Sequence, residues 1–318
     1  MPATSSMPHS PVEPMLAKIA DALPTEPGFQ FEPKWDGFRA LVFRAKNALT
    51  LQSRDLKPLN RYFPELERAL EQSLPVGCVL DGEIVIATQH GLDFDALQQR
   101  LHPAASRVAR LSVETPASFV AFDLLAVDGR STMSLSQAER RALLERLLAD
   151  AEPPLRLTPV TRDRDEATRW LSEFEGAGLD GVVAKLQSAV YQPGKRAMLK
   201  IKHARSADCV VAGFRWYKDQ ADAVGSLLLG PYDDTGALQH VGVTSSFTLA
   251  RRRGGSLHAT TFLRWRPDKP ARDCRYDQLD VTTPFELARV FGAADDRRQR
   301  LKIVNPSTRK TTTSARKT

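Results

Sequence analysis

Apolar and polar residues alternate in short runs along the first two-thirds of the chain, as they do in half-buried β-strands. The segment FEPKWDGFRA, residues 31–40, places Asp36-Gly37 between two such runs. An Asp-Gly pair in this position predicts a β-hairpin. Lys34 is then expected at the end of the first strand, close to the turn, and Arg39 on the returning strand.

Further alternating runs predict strands, and apolar residues spaced by three or four positions predict helices. The predicted strands are ALTLQS, CVLDGEIVIAT (one strand, or two around its Asp-Gly), ASFVAFDLLAV, LRLTPVT, DGVVAKL and AMLKIK. The predicted helices are RYFPELERALEQSL, FDALQQRL, QAERRALLERLLA and DEATRWLSEFEGAG, the third with a capping box of Ser136 and Glu139. Elements that alternate irregularly, with hairpin signals, favour an α+β fold with an antiparallel sheet over a doubly wound sheet.

The composition changes after KHARSADC, residues 202–209, which has the polarity of a linker. Four short strands with glycine-rich turns are predicted beyond it, in DCVVAGFRWY, VGSLLLGPYD, ALQHVGVTSS and HATTFLRWR. Such strands are typical of a small β-barrel or sandwich. Thr283-Pro284 then begins a last short predicted helix, FELARVF.

The net charge of +7 originates at one end of the sequence. Residues 297–318 contain eight Lys or Arg and no Asp or Glu, and the rest has 37 basic against 38 acidic residues. This basic tail lacks the apolar content for a core and is predicted to be disordered. It is either a solubilising end or a contact to phosphate backbones through charge alone.

The sequence shows no membrane or secretion feature. No run approaches the roughly 20 apolar residues that span a bilayer. Residues 1–14 lack the apolar segment of a secretion signal and are predicted to be disordered. The cysteines Cys78, Cys209 and Cys274 form no CxxC pair, so neither a zinc ribbon nor a disulfide framework is indicated. A reducing, cytoplasmic compartment fits these features.

Charged residues recur on strands that are otherwise apolar: Lys34, Asp36, Arg39, Arg54, Asp81, Glu83, Asp180, Lys185, Lys200 and Lys202. Because a buried unpaired charge costs several kcal/mol, a site for a charged ligand is favoured over a solvated face. Lysines and arginines neutralise phosphates, and carboxylates hold Mg²⁺. The set therefore indicates phosphate chemistry, although no P-loop motif is present. Phe122 either stacks on a base or belongs to the core.

The segments KWDGFR, SRD, LDGEIV, AFDLL, DGVVAK and LKIK, in this order, resemble the nucleotidyltransferase motifs of ATP-dependent DNA ligases. LDFDALQQRLHPA and PGKRAMLKIKHARSADCVVAGFRW resemble the small bacterial ligases of repair and end joining. The resemblance covers about residues 12–292. It implies an adenylation (nucleotidyltransferase) domain at 15–203 and a small all-β barrel of the oligonucleotide-binding (OB) type at 204–296, followed by the basic tail.

The resemblance also implies roles for individual residues. Lys34 would be the nucleophile that takes AMP from ATP, Glu32 would recognise adenine, and Phe122 would stack on it. Glu83 would contact the ribose or Mg²⁺, and Asp180 would be a Mg²⁺ ligand. Arg39 and Arg54 would hold the ribose and phosphate, and Arg196, Lys200 and Lys202 would hold the α-phosphate and the leaving pyrophosphate. FLRWRPDKP resembles the last family motif, which orients pyrophosphate, and so nominates Arg264, Arg266, Asp268 and Lys269; the alternative is a basic edge strand followed by a turn.

The expected chemistry starts at the Lys34 amine, which attacks phosphorus only in its neutral form, a form that neighbouring cations favour. Its AMP adduct would pass AMP to a DNA 5′-phosphate, and an adjacent 3′-hydroxyl would then displace the AMP. The predicted function is ATP-dependent sealing of nicks in duplex DNA during repair. The resemblance implies a monomer in the bacterial cytoplasm, associated with the nucleoid, with DNA and end-joining or repair proteins as partners and no membrane.

Two departures from the family keep alternatives open. Asp180 stands where the family often has glutamate, which moves the carboxylate by about 1.5 Å. The stretch between VTSSFT and FLRWRPDKP is shorter than in relatives, and leaves four strand candidates where an OB fold has five. Either the barrel is shortened, or a loop replaces the strand. The alternatives are a DNA-binding accessory, non-catalytic or limited to adenylation, and an RNA ligase or capping-type nucleotidyltransferase.

Overall fold

The computed structural model of the chain describes residues 6–88, 91–202, 207–217, 220–244, 265–278 and 284–291. The chain divides into two compact units. The first takes the residues up to 203 and from 283 onward, and the second takes residues 204–282. Within the described ranges, no helix is both long and apolar enough to cross a bilayer.

The first unit contains strands and helices in mixed order. Its strands are β1 (Leu16–Ile19), β2 (Phe29–Pro33), β3 (Phe38–Ala45), β4 (Ala48–Ser53), β5 (Cys78–Val85), β6 (Ala87–Thr88), β7 (Gly91–Leu92), β8 (Ser118–Val127), β9 (Arg130–Ser131), β10 (Leu155–Leu157), β11 (Val182–Leu186) and β12 (Arg196–Ile201). Its helices are α1 (Pro64–Ser73), α2 (Phe94–Gln99), α3 (Ala105–Glu114), α4 (Gln137–Leu147), α5 (Arg164–Glu173) and α6 (Leu287–Val290).

Two main sheets organise this unit. The smaller sheet has the order β1-β12-β11-β2, and the larger has the order β10-β8-β5-β3-β4, with β9 paired to β8. Neighbouring strands are antiparallel, apart from the parallel pairs β1–β12 and β8–β10 at the edges. The predicted α+β fold with antiparallel sheets is confirmed.

The strand sequences explain why both faces of the larger sheet are buried. In β3, Ala40 and Val42 join a cluster with Leu66 of α1 and Leu144 of α4. Leu41, on the opposite face of the same strand, joins a second cluster that includes residues of the smaller sheet. Helices α1, α2 and α4 therefore cover one face of the larger sheet, and the smaller sheet packs against the other.

The predicted hairpin at Asp36-Gly37 is wrong. Strand β2 pairs with β11 in the smaller sheet, whereas β3 pairs with β4 and β5 in the larger sheet. Residues 34–37 therefore cross from one sheet to the other. Gly37 is required by close packing rather than by a turn, because a Cβ there would overlap the carbonyl oxygen of Ile84.

Most other predicted elements are present, and CVLDGEIVIAT contains one long strand, β5, followed by the two-residue β6. The capping box at the start of α4 is formed as predicted. Helix α3 and strand β1 were not predicted. The helix expected to begin at Thr283-Pro284 is shorter, and begins at Leu287.

Residues 6–14 differ from the disorder predicted for them. The Met7 N–H donates to the carbonyl oxygen of Gly129 over 2.9 Å. The Gln52 side chain accepts from the Ser10 hydroxyl and the Val12 N–H, and it donates to the Val12 carbonyl oxygen. One backbone hydrogen bond and the contacts of the Gln52 side chain therefore hold this segment against the larger sheet, and composition does not reveal either.

The described part of the second unit is an antiparallel sheet. Its strands are β13 (Val210–Tyr217), β14 (Gln220–Gly230) and β15 (Gly242–Thr244), in that order. They correspond to the first three strand candidates. The fourth candidate, HATTFLRWR, lies almost entirely outside the described residues.

Candidate active site

Lys34 lies where the chain crosses between the two sheets. Its backbone N–H donates to the Gly181 carbonyl oxygen over 2.8 Å, and its carbonyl oxygen accepts from the Asp180 N–H over 2.9 Å. The loop before β11 therefore fixes the lysine backbone on both sides. The side chain is about one-fifth exposed.

Asp180 connects Lys34 to the end of strand β12. Its Oδ2 lies 2.5 Å from the Lys34 amine and 2.6 Å from the Lys202 amine. Burial alone would raise the pKa of this carboxyl, but the two lysines outweigh burial and lower it. Gly181 permits the arrangement, because a Cβ there would overlap the carbonyl oxygen of Ile201. Lys34, Asp180 and Lys202 therefore form one ion-paired group.

Two further carboxylates face this group. The pKa of Glu83 is raised to about 7, mainly by burial; Arg39 and Lys34 oppose the shift, and the negative charges of Asp81 and Asp36 add to it. Burial likewise raises the pKa of Asp36, against the attraction of Lys34. Carboxylates with raised pKa values beside lysines are typical of functional sites.

Lys200 adds a further positive charge that interacts with Lys34 and Lys202. Burial lowers the pKa of Lys200, and the positive charges of Lys34, Lys202, Arg196 and Arg54 lower it further. This accumulation of positive charge is the setting in which an anionic ligand would be stabilised.

Glu32 and Phe122 meet at a buried cation. The Lys185 amine lies 2.7 Å from the Glu32 carboxylate, donates to the Phe122 carbonyl oxygen and stands 4.7 Å from the centre of the Phe122 ring. Arg39 approaches the same ring at 4.3 Å. Phe122 thus packs with two cations rather than within the apolar clusters. Its stacking on adenine stays a prediction.

Arg39 is held by a fully buried carboxylate. Its guanidinium donates to both oxygens of Asp81, over 2.6 and 2.7 Å. Burial alone would lower the pKa of Arg39, but Asp81 outweighs it and raises the pKa. A two-point contact of this kind fixes the orientation of the guanidinium as well as its position.

The candidate residues of the last motif belong to the second unit. Arg266 pairs with Asp208 at 3.1 Å and with Asp268 at 2.7 Å, and Lys269 pairs with Asp208 at 2.9 Å. Arg264 lies outside the described residues. The proposed pyrophosphate role of these residues stays a prediction.

The carboxylates near Lys34 fit Mg²⁺ in kind, since they are hard oxygen donors. In the parts of the chain that the structure describes, no cluster of three or more His, Cys, Asp or Glu side chains could hold a metal. Mg²⁺ is commonly held by one or two carboxylates together with substrate phosphates.

Two residues of the site were given no role from the sequence. The sequence marks Lys185 as a charged residue on an apolar strand, and the structure places it in contact with Glu32 and Phe122. Tyr191 lies in the loop between β11 and β12, where no periodicity applies, and its hydroxyl reaches Asp81 over 2.7 Å. Only the fold brings it to the site.

Comparison with known proteins assigns the chain to a family. The family model for the ATP dependent DNA ligase domain matches residues 14–202. DNA ligase C2 of Mycolicibacterium smegmatis is 46% identical over 336 residues, covering 85% of this chain and 94% of the relative. DNA ligase C of Mycobacterium tuberculosis is 55% identical over 247 residues, covering 76% of this chain and 68% of the relative.

Solved structures agree with the sequence relatives. The ligase domain from Mycobacterium tuberculosis LigD is 32% identical, with a TM-score of 0.51, and the match covers 74% of this chain and 73% of that one. A mycobacterial DNA ligase D complexed with ATP and MES is 31% identical, with a TM-score of 0.50, covering 74% and 72%. The chain belongs to the family of ATP-dependent DNA ligases.

Proposed function

We propose that this protein seals nicks between 3′-hydroxyl and 5′-phosphate ends of duplex DNA through an AMP adduct on Lys34. One observation carries the proposal. The amine of the partly exposed Lys34 side chain contacts Asp180, near Lys200 and Lys202, in a chain of the ATP-dependent DNA ligase family. A cationic, carboxylate-lined site around a lysine amine suits nucleophilic attack on a nucleotide phosphate.

In the first step, the Lys34 nitrogen attacks the α-phosphorus of ATP. A nitrogen–phosphorus bond forms, the bond from the α-phosphorus to the bridging oxygen breaks, and pyrophosphate leaves. The amine must release a proton, and Asp180 Oδ2 is the acceptor in contact with it at 2.5 Å. Lys200, Lys202 and Arg196 supply positive charge for the α-phosphate and the leaving pyrophosphate.

In the second and third steps, the adduct is consumed. A DNA 5′-phosphate oxygen attacks the adenylyl phosphorus, the nitrogen–phosphorus bond breaks, and Lys34 regains its amine. The adjacent 3′-hydroxyl then attacks the activated 5′-phosphate and releases AMP, which closes the strand. The same cations can stabilise the charge that develops in each displacement.

The nucleotide would bind beside Phe122, among the charged side chains that surround its ring. Glu32 and Phe122 are assigned to adenine, and Arg39 and Arg54 to the ribose and phosphate. Glu83 and Asp180 would hold Mg²⁺ together with oxygens of the nucleotide, and the bound ion would neutralise phosphate charge. In the second unit, Arg266 and Lys269, which gather around Asp208, are assigned to pyrophosphate.

The second unit offers a surface suited to DNA. Phe214 and Trp216 lie on one face of β13, each about half exposed, with ring centres 4.8 Å apart. Exposed aromatic side chains on small barrels stack on nucleic acid. The proposed substrate is nicked or broken duplex DNA, and the proposed place of action is the bacterial cytoplasm at the nucleoid.

A joining assay tests the proposal. A nicked duplex with a labelled 5′-phosphate is incubated with ATP, Mg²⁺ and the wild-type protein, the Lys34→Ala variant or a Lys46→Ala control, which alters an exposed lysine between β3 and β4. We expect sealing by the wild type and the control, and none by Lys34→Ala.

Other results would favour one of the alternative functions. Binding of the nick without joining, at any excess of wild-type protein, would support a non-catalytic accessory. An AMP adduct without joining would support an adenylation-only protein. Labelling by GTP alone would favour a capping-type enzyme.

A further inference from the structure

The Tyr191 hydroxyl links two parts of the first unit that are distant in sequence. It accepts a hydrogen bond from the Met15 backbone N–H over 2.9 Å, and it donates to Asp81 Oδ2 over 2.7 Å. The direction of the second bond follows from chemistry, because a carboxylate can only accept. The Tyr191 hydroxyl is therefore both a hydrogen-bond donor and a hydrogen-bond acceptor.

Asp81 transmits the position of this hydroxyl to the site. The carboxylate is fully buried, and its two oxygens receive the two parallel bonds from Arg39. Arg39 in turn lies 4.3 Å from the centre of the Phe122 ring. Rotation of the Asp81 carboxylate would consequently rotate the Arg39 guanidinium, because two parallel hydrogen bonds keep the two planar groups aligned.

The ring of Tyr191 is held independently of its hydroxyl. The side chain is 4% exposed and packs in the apolar cluster between the two sheets. The Arg140 guanidinium lies 5.6 Å from the ring centre, and both oxygens of Asp123 fix that guanidinium in turn. Removal of the hydroxyl alone is therefore expected to leave the ring in place.

We propose that Tyr191 is a positioning residue for ATP binding, which acts through Asp81 to set the orientation of the Arg39 guanidinium at the nucleotide. The inference rests on the proposed function, since it gives Arg39 its ligand. Burial, together with the negative charge of Asp81, raises the pKa of Tyr191 well above its ordinary value, so the phenol keeps the proton that it donates.

The Tyr191→Phe variant tests this inference without removing the ring. Asp81 then keeps its two bonds to Arg39 but loses the bond that fixes its rotation. Hydrogen bonds to a charged group are among the stronger ones in proteins, so the loss leaves the Asp81 carboxylate freer to rotate. The KM for ATP in the adenylation step is accordingly expected to rise by about tenfold, while the rate at saturating ATP changes by less than about threefold. The Tyr62→Phe variant, which alters a tyrosine of the opposite apolar cluster, is the matched control.

A double variant separates positioning from general destabilisation. Arg39→Lys keeps a positive charge beside Asp81 but cannot make the two parallel bonds. In that background, Tyr191→Phe is expected to change the KM by less than about twofold. An equal rise in both backgrounds would show that Tyr191 does not act through Arg39. An unchanged KM with a lower melting temperature would show a purely structural role.

The same experiment distinguishes failure of this inference from failure of the proposed function. If the wild-type protein forms no AMP adduct, the proposed function fails, and the role of Tyr191 fails with it. If the wild type forms the adduct and Tyr191→Phe has the wild-type KM, only the inference fails.

Discussion

At the scale of single residues, charge on apolar strands was the signal that identified the site. Lys34, Glu83, Asp180 and Lys200 all lie in one cluster of interacting charges, as that signal predicted. It could not show that Asp180 is shared between Lys34 and Lys202, since that depends on how closely two loops approach. Tyr191 carried no such signal, because a tyrosine in a loop is ordinary in composition and reveals its role only through its partners.

Glu83 gives a prediction about pH. Burial raises its pKa from 4.5 to about 7, so between these values the folded protein holds a proton that the unfolded chain releases. Stability is therefore lost as the pH rises from about 4.5 to 7. Glu83→Gln removes this loss. We expect its melting temperature to exceed that of the wild type at pH 8 by several degrees, and to match it at pH 5.

Glu139 is the control for this experiment because its pKa is lowered, whereas that of Glu83 is raised. Hydrogen bonds from Ser136 lower the pKa of its carboxyl, so its contribution is present above the ordinary pKa and is lost as the pH falls. Glu139→Gln is expected to melt no higher than the wild type at pH 8. A Glu83→Gln variant that gained equal stability at pH 5 and pH 8 would contradict the assignment of burial as the cause.

At the scale of elements, the sequence predicted most strands and helices but not their partners. The alternation in β2 and β3 was correct, yet the Asp-Gly signal between them suggested a hairpin where the chain changes sheets. A local signal cannot tell a glycine needed for a turn from one needed for close approach to a neighbouring strand. This difference matters for function, because the crossing is what places Lys34 at the boundary of the two sheets.

The segment that carries α6 belongs to the first unit and packs beside Lys34. Phe291 stacks on Trp35, the neighbour of Lys34, with ring centres 5.1 Å apart, and Arg156 lies 4.6 Å from the Phe291 ring. Phe291→Ala is expected to lower the free energy of unfolding by about 1–3 kcal/mol. It should also slow AMP adduct formation severalfold, because Trp35 loses the stacking contact that helps to hold it next to Lys34.

Chemical denaturation and adenylation rates of the same variants check this prediction. Phe291→Leu, which keeps apolar volume without the ring, should give intermediate values for both quantities. Wild-type stability and rate in Phe291→Ala would show that the returning segment has no part in holding the Lys34 region.

At the scale of the whole molecule, the charge is distributed unevenly. Residues 297–318 carry eight basic residues and no acidic ones, so their removal changes the net charge from +7 to −1. Deletion of this basic tail is expected to weaken binding of nicked duplex. The slope of log affinity against log salt should become less steep by about 0.9 for each phosphate that the tail contacts.

AMP adduct formation should be unaffected by this deletion, since the proposed site residues all precede the tail. A variant with the same tail length, in which the eight basic residues are replaced by glutamine, separates charge from length. An unchanged salt slope in both variants would show that the tail is only a solubilising end.

The most direct measurement is the mass and location of the AMP adduct. The protein is incubated with ATP and Mg²⁺, its intact mass is recorded, and the modified peptide is sequenced by mass spectrometry. The account predicts a gain of one adenylyl group, carried by Lys34, and no gain in Lys34→Ala. An adduct on a different residue, an equal gain in Lys34→Ala, or no gain by wild-type protein that also carries no AMP as purified would contradict it.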